Sequence, residues 1–482
     1  MPGSGGKPVA AGTDGPFHER VVEMSAFVAA PLAGMVLAGL GCDVLRVDPP
    51  GGGLDFARWP VTPAGQSIFW AGLNRGKRSV VIDFRRPEGR ELVAEIVIAG
   101  GQPPVGRASE VGRNGGTGES GADGSAAASR NAGGTRGRGA RTAGGQPPGA
   151  RGGVFLTNLG PGGPLSYEAL RRRRPDVISV EVEGYPDGRS AVDYTIAARS
   201  GVPFLTGPEG HAGPVNSPLP TWDIATGFSA ALAAREAMWR RRQTGVGTRA
   251  RLALADVAIG ALSALGFMDE QRLAAQPRRR DGNYLYGAFG RDFELADGAR
   301  VMVVAITRKQ WRSLVEAVGL SAEVEELGRA MGLDLDREGD RWQARHEIAA
   351  LVERWCASRS LEEVAPTFEA QGVCWGPYGF APSLAPGPGA RDFGLAARFG
   401  EEALCSLAPA PALGQHTEEV LADVLGLSVP EISHLHDRGL VGGPSSVPGA
   451  TGRRAASGGG HRASGGQRAA RGATGPGRGT RG

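Results

Sequence analysis

The sequence predicts an α/β fold, a large domain on a parallel sheet followed by a smaller α+β domain. Three observations predict it. Residues 21–24, 31–40 and 43–47 read as strand, helix and strand, the βαβ unit of a parallel sheet. Strand-like apolar runs then recur after helical stretches, at 80–84, 154–158 and 176–182. Beyond residue 267 the pattern changes to alternating runs at 293–304 around Asp297-Gly298, a strong hairpin signal. Helical segments at 310–318 and 346–354 follow it.

Taken in order, residues 1–16 are a Gly- and Pro-rich leader predicted to be disordered, without the apolar core of a signal peptide. Residues 17–98 form the first part of the large domain. Pro31 suits a first helical turn, and Gly41 ends that helix. The run Asp48-Pro49-Pro50-Gly51-Gly52-Gly53 exposes backbone at a strand's carboxyl end, where open α/β sheets bind ligands. Taken alone, a plain flexible turn is the preferred reading of it. No GxGxxG follows the first strand, so a dinucleotide site is not indicated. Arg75, Lys77 and Arg78 surround Gly76 ahead of the third strand. They suit a phosphate-bearing ligand or an ordinary solvated charge cluster. A helix starts at Pro87.

Residues 99–153 are almost wholly Gly, Ala, Arg, Ser and Pro. Such a segment cannot bury enough apolar surface to offset its chain entropy. Ala99-Gly100-Gly101-Gln102-Pro103-Pro104 recurs at 143–148, as in an insert grown by duplication. The β pattern resumes at Val154, so residues 154–280 continue the large domain. Asn158 opens a loop there, and Asp193 and Tyr194 precede a helix to Ser200. Residues 201–217 read as loop. Residues 281–378 are the small domain, and 372–378 break its pattern. Residues 379–440 are a connector returning to the large domain, with an amphipathic segment at 417–427. Residues 441–482 are a basic tail predicted to be disordered.

The stretch 218–256 organises the chain. Asp223 stands just ahead of a long helical pattern of small and apolar residues, closed by Arg240, Arg241 and Arg242, which suit the negative end of a helix dipole. Gly245 and Gly247 stop it. A strand follows at 248–253, and a second apolar helix at 256–267. Two readings of Asp223 are compatible, a helix N-cap and a nucleophile that handles an acyl group.

The formal net charge of +4 is unevenly spread. Residues 99–153 carry +4 and residues 441–482 carry +7, which leaves −7 for the rest. Four cysteines show no disulfide or metal spacing, which suits a reducing cytoplasm, and no metal site is expected. No run reaches the roughly 18 apolar residues of a membrane span, so no membrane partner is expected. The Arg/Gly tails suggest a polyanion, and a non-enzymatic binder is one alternative. They lack aromatics for stacking, however, so a solvated tail is preferred over nucleic-acid binding.

Several motifs together resemble the family III CoA-transferases, which include formyl-CoA and carnitine CoA-transferases and the α-methylacyl-CoA racemases. They are Ala29-Ala30-Pro31-Leu32-Ala33-Gly34, the run from Leu40 to Gly52, Leu73-Asn74-Arg75-Gly76-Lys77-Arg78-Ser79, Tyr286-Gly287-Ala288-Phe289, Gln310-Trp311 and the run from Pro411 to Leu421. They span about 17–440 in the family's order. The resemblance implies a Rossmann-like large domain, a small domain and two chains interlocked as rings. It implies that Asp223 is the nucleophile and that Phe27, Ile82 and Asn158 contact CoA. Arg75, Lys77 and Arg78 meet CoA phosphates or a distal carboxylate. The racemases' His falls where this chain has Asp193, which argues against racemisation; Asp193 and Tyr194 are placed at the substrate. One subgroup, the 2-methylfumaryl-CoA isomerases, is similar at Arg58-Trp59-Pro60-Val61-Thr62, Ser190-Ala191-Val192-Asp193-Tyr194-Thr195 and Trp375-Gly376-Pro377-Tyr378. Its chemistry implies coenzyme A as part of the substrate and no permanently bound cofactor. Transfer of CoA between two different acids is the alternative within the family.

Overall fold

The computed structural model describes residues 19–63, 65–100, 151–274, 278–379, 398–399, 402–403 and 407–444. The leader, nearly all of the insert, residues 380–397, 400–401 and 404–406 of the connector and the tail beyond 444 lie outside the described residues.

Six parallel strands form the frame: β1 (Glu19–Met24), β2 (Asp43–Asp48), β3 (Arg78–Ile82), β4 (Arg151–Thr157), β5 (Ile178–Glu183) and β6 (Arg249–Ala253). Their order is β3-β2-β1-β4-β5-β6, a doubly wound sheet whose order reverses between β1 and β4. Side chains alternate across such a sheet, so neighbouring residues serve different cores. Val21 packs into one core and Val22 into the other. The first core lies under α1 (Ala29–Gly39), α5 (Asp193–Ser200), α7 (Thr221–Thr244) and α8 (Leu254–Ala264), counting the intervening helices α2 (Ile68–Leu73), α3 (Pro87–Ile98), α4 (Tyr167–Arg173) and α6 (Val202–Leu205). The second lies under α3, α4 and the helices Thr417–Leu425 and Val429–Asp437. Burial on both faces explains the near-continuous valines.

The smaller unit has its own core, built on an antiparallel sheet of β7 (Phe289–Glu294), β8 (Arg300–Ala305) and β9 (Cys374–Pro377). Asp297-Gly298 does form the turn, with Gly298 at φ 79°. No helix among the described residues is long and apolar enough to cross a membrane, and no His, Cys, Asp or Glu cluster among them has metal-site geometry.

Five expectations are corrected. Helix α7 starts at Thr221, so Asp223 lies inside its first turn rather than ahead of it. Arg241, in the α7 last turn as expected, is also buried; it donates to the Gly152 and Gly153 carbonyls and pairs with Glu19. The helix expected over 256–267 breaks at Gly266, φ 78°, into α8 and a short Phe267–Leu273 helix. The loop expected over 201–217 contains α6, with Pro in its first turn. Residues 372–378 yield β9, an edge strand that tolerates its proline. Strand structure also claims residues 151–153, assigned to the insert, and Val441–Gly442, assigned to the tail; the latter pair antiparallel to β3.

Candidate active site

Two ends of chain meet where the sheet order reverses: the loop after β1 and the loop after β4. Asn158 ties them together. Its Oδ1 accepts from the Ala26 N–H at 2.9 Å, and its Nδ2 donates to the Ala26 carbonyl at 2.8 Å. Phe27 comes next, the one described non-glycine residue with positive φ, at 66°. Such a bulky residue pays about 1–3 kcal/mol for that conformation. The Phe27 N–H is held by Asp55 Oδ2 at 3.0 Å.

Asp55 is the outer end of a buried polar chain. Arg46 donates to Asp55, to Asp48, to Glu23 Oε1 at 3.1 Å and to Ser25 Oγ at 2.8 Å. Lys77 Nζ completes it, bonding Glu23, the Pro31 carbonyl and Asn74 Oδ1. All lie at the carboxyl ends of β1, β2 and the start of β3, beneath α1. A glycine is required above them, because a Cβ on Gly34 would sit 1.6 Å from Glu23 Oε2. Three carboxylates thus face two cations in a dry site. Burial pushes the Lys77 ammonium down to about 8 against the pull of Glu23, and pushes the Asp48 carboxyl up against Arg46.

Helix α7 delivers Asp223 to the same place. Gly227, one turn on and on the same face, lets α7 touch α1: a Cβ there would be 2.8 Å from the Ala29 carbonyl. The free N–H groups of the α7 first turn are capped by another residue. Asp193 Oδ2 accepts from the Trp222 N–H at 2.6 Å and the Asp223 N–H at 3.0 Å. Asp193 itself is buried, at the start of α5. Asp223 is therefore not the cap. Its half-buried carboxyl is pushed up to about 6, first by burial, then by Asp193, with Arg58 opposing.

The other residues expected at the site fall as follows. The Ile82 side chain is fully buried in the second core. Arg78 pairs with Asp43 at 2.6 Å and with Glu419 at 2.9 Å. Arg75 is half-buried and has a partner of its own. Tyr194 is exposed beside Asp193. Three arginines that sequence reasoning did not single out line this end of the sheet. Arg58 lies over the rings of Phe27 and Phe69 at 5.7 and 4.9 Å. Arg85 and Arg90 line a cavity of about 200 Å³ with Met24, Leu159 and Gly160. Arg85, three residues beyond the end of β3, was the available signal; Arg58 lies ten residues beyond β2 and Arg90 within α3. A larger cavity of about 1140 Å³ lies in the small domain among Arg312, Glu316 and Asp336, remote from Asp223 in the sequence.

A charge-poised aspartate, a strained loop and flanking arginines at a switch point suit covalent handling of an acyl group. The chain is similar to several known proteins. The 2-methylfumaryl-CoA isomerase of Chloroflexus aurantiacus is 44% identical over 445 residues, spanning 88% of this chain and 97% of its own. The succinyl-CoA–D-citramalate CoA-transferase of the same organism is 24% identical over 450 residues, with the same coverage. A CAIB/BAIF family protein from Brucella suis matches in fold with a TM-score of 0.60 at 23% identity, covering 84% of this chain and 98% of its own. The profile of CoA-transferase family III matches residues 19–99 and 151–417. By that match, and by a relative 44% identical across most of its length, this chain belongs to CoA-transferase family III.

Proposed function

We propose that the protein moves CoA within one molecule, between the two carboxyls of 2-methylfumarate, through an aspartyl-CoA intermediate on Asp223. The carrying observation is the 44% identity to a 2-methylfumaryl-CoA isomerase along nearly the whole of both chains. The Asp223 carboxylate attacks the thioester carbon, forming a mixed anhydride and expelling CoA thiolate. The thiolate attacks the Asp223 carbonyl, giving an aspartyl thioester and the free diacid. The diacid's other carboxylate attacks that thioester and expels the thiolate again. The thiolate then attacks the substrate carbonyl of the new anhydride, releasing the isomeric thioester and free Asp223. Each step exchanges one acyl bond for another, so no electrons or water are consumed. CoA enters and leaves with the substrate, and the scheme calls for no resident cofactor or metal.

Phe27 and Asn158 serve this reading through the loop they shape, and Arg85 and Arg90 are candidates for the CoA phosphates. The cap of Asp193 gives the nucleophile a fixed direction. Modification by hydroxylamine tests the intermediate. Incubation with 2-methylfumaryl-CoA and hydroxylamine should leave a hydroxamate on the peptide containing Thr221-Trp222-Asp223-Ile224. Modification at Asp193 instead would reassign the nucleophile. Mass-spectrometric product analysis with that single thioester and no acceptor acid separates the two transfers. Isomerised product supports internal transfer, and reaction only after a second acid is added supports the intermolecular one.

A second copy of the chain is the proposed partner. Phe228 and Leu232 on α7, Ile259 on α8 and Leu265 just after it are exposed. A run of apolar residues on adjoining helices is an association surface. Light scattering should give the mass of a dimer, and Leu232→Glu should weaken it. Cysteines scattered without disulfide spacing keep the cytoplasm as the proposed compartment.

A further inference from the structure

We propose that Arg58 docks the free carboxylate of the acyl group and so selects thioesters of short dicarboxylic acids. This rests on Asp223 as the acyl carrier. The other cations expected near the acyl end are committed elsewhere. Lys77 is buried among Glu23, Asn74 and the Pro31 carbonyl, and Arg78 is paired with Asp43 and Glu419. Arg58 differs. It is exposed, and its described contacts are two aromatic faces rather than a carboxylate.

Its position is nonetheless fixed. Ser67 Oγ donates to the Arg58 carbonyl at 2.6 Å and accepts from the Trp70 N–H, so the Arg58 backbone is tied to the start of α2. Phe69 of that helix and Phe27 of the loop after β1 support the guanidinium by cation–π contact. Phe27 is anchored in turn by Asp55, and the next helix, α1, touches α7 one turn from Asp223. The guanidinium and the Asp223 carboxyl feel each other's charge but form no ion pair. A short acyl chain with a thioester at one end and a carboxylate at the other fits that relation. The planar fork of arginine suits a carboxylate at two points.

Internal transfer makes a further demand. While CoA rests on Asp223, the free diacid carries two carboxylates and must remain in the site. A cation seated on aromatic faces can hold either one, so the diacid can present its other end.

The test measures binding without turnover, in an Asp223→Ala background. One probe pair is 2-methylfumaryl-CoA and tiglyl-CoA, in which a methyl replaces the free carboxyl. A second pair, succinyl-CoA and butyryl-CoA, does not depend on the methylfumarate assignment. Each diacid thioester should bind about 10–100-fold more tightly than its partner, the size of a charge-assisted contact. Adding Arg58→Gln should bring both ratios to within about threefold while leaving the monoacid affinities within about threefold; Arg58→Lys should retain part of the preference. Thermal melts of the variants should match the parent, since Arg58 is exposed. A preference that survives Arg58→Gln, or an equal loss for both members of each pair, overturns the assignment. So does the lack of any preference in the parent. If the ratios behave as expected but active enzyme does not isomerise 2-methylfumaryl-CoA, the isomerase reading fails and the role of Arg58 stands.

Discussion

The two ends of the central sheet use the same chemistry to opposite effect. At the amino ends, buried arginines close the structure. Arg174 pairs with Asp176 and donates to the carbonyls of Ile98, Ala99 and Gly100; Arg241 pairs with Glu19 and donates to those of Gly152 and Gly153. Each guanidinium meets a carboxylate and backbone oxygens, and nothing there points outward. At the carboxyl ends, Arg46 and Lys77 face Glu23, Asp48 and Asp55, a surplus of one carboxylate. The backbone beside them is strained at Phe27, and Asp223 holds its proton up to about 6. Strain and uncompensated charge collect where chemistry is done, because the surrounding fold can hold them there.

The sharpest break of this comparison is Asp223→Ala. Turnover should fall to background while a circular dichroism spectrum stays native, because covalent transfer does not survive loss of its carrier. Asp223→Asn should be equally inactive. Turnover near the parent rate in either variant would leave Asp223 without a covalent role. Next in size is Arg46→Met, which strands the buried carboxylates of Asp48 and Asp55 and leaves Glu23 to Lys77. Removing one partner of a buried ion pair costs about 3–5 kcal/mol, to be read from denaturant melts. A loss under about 1 kcal/mol, the range of an exposed pair, would show that the network is not dry.

A smaller effect sharpens the comparison through pH. Asp193→Asn keeps an oxygen to cap α7 but removes the negative charge that helps raise Asp223. A nucleophilic Asp223 must be ionised, so on the proposed mechanism the parent's rate should fall as pH drops through about 6. In the variant that acidic limb should move to lower pH. The groups facing Asp223 are Asp193 and Arg58, and only the first is changed. A carboxyl whose folded pKa is raised binds its proton more tightly in the fold, so stability is lost as pH rises through about 6. Asp223→Asn should therefore melt higher than the parent at pH 8, with the gain fading as pH falls towards 4. An unmoved limb in Asp193→Asn would show that burial alone sets Asp223.

How legible was this from sequence? The parallel frame was, because strands buried on both faces must be apolar, as Val80-Val81-Ile82 is. Asp223 stood out as a candidate ahead of a helix of small residues, and the structure places it in that helix's first turn. Its environment was not legible. The residue that caps α7 is Asp193, 30 positions upstream and on another helix, and no local pattern joins them. The cations of the 73–79 loop were visible, but their partners Glu23 and Asp43 lie on neighbouring parallel strands, 54 and 35 positions away. Parallel pairing places such partners far apart in sequence, so Lys77 and Arg78 read as free when they are not. Ile82 shows a different limit: a resemblance aligns a position, not the direction of its side chain. The strand β9 was missed because Cys374-Trp375-Gly376-Pro377 has no alternation and forms only against β8.

The smallest expected effect lies at the amino ends. The 99–153 segment leaves and re-enters the fold there, and deleting residues 105–150 should leave turnover within about twofold. The two sides of the segment already touch: a Cβ on Gly152 would be 1.9 Å from the Ala99 carbonyl oxygen. A short connection therefore needs no new geometry. Arg174 and Arg241 hold the backbone on both sides from within the large domain, so neither anchor leaves with the segment. Asn158 stands at the opposite end of β4, about 20 Å away for a seven-residue strand. Its clamp on Ala26 does not involve the deleted residues. Loop-closure entropy falls by about 0.6 kcal/mol per halving of length, so the shortened chain should be more stable by at most about 2 kcal/mol. Both readouts come from one preparation, a urea melt and a steady-state rate. A folded variant with a large loss of rate would mean that the segment reaches the carboxyl end of the sheet. The two ends of the sheet would then be coupled through it.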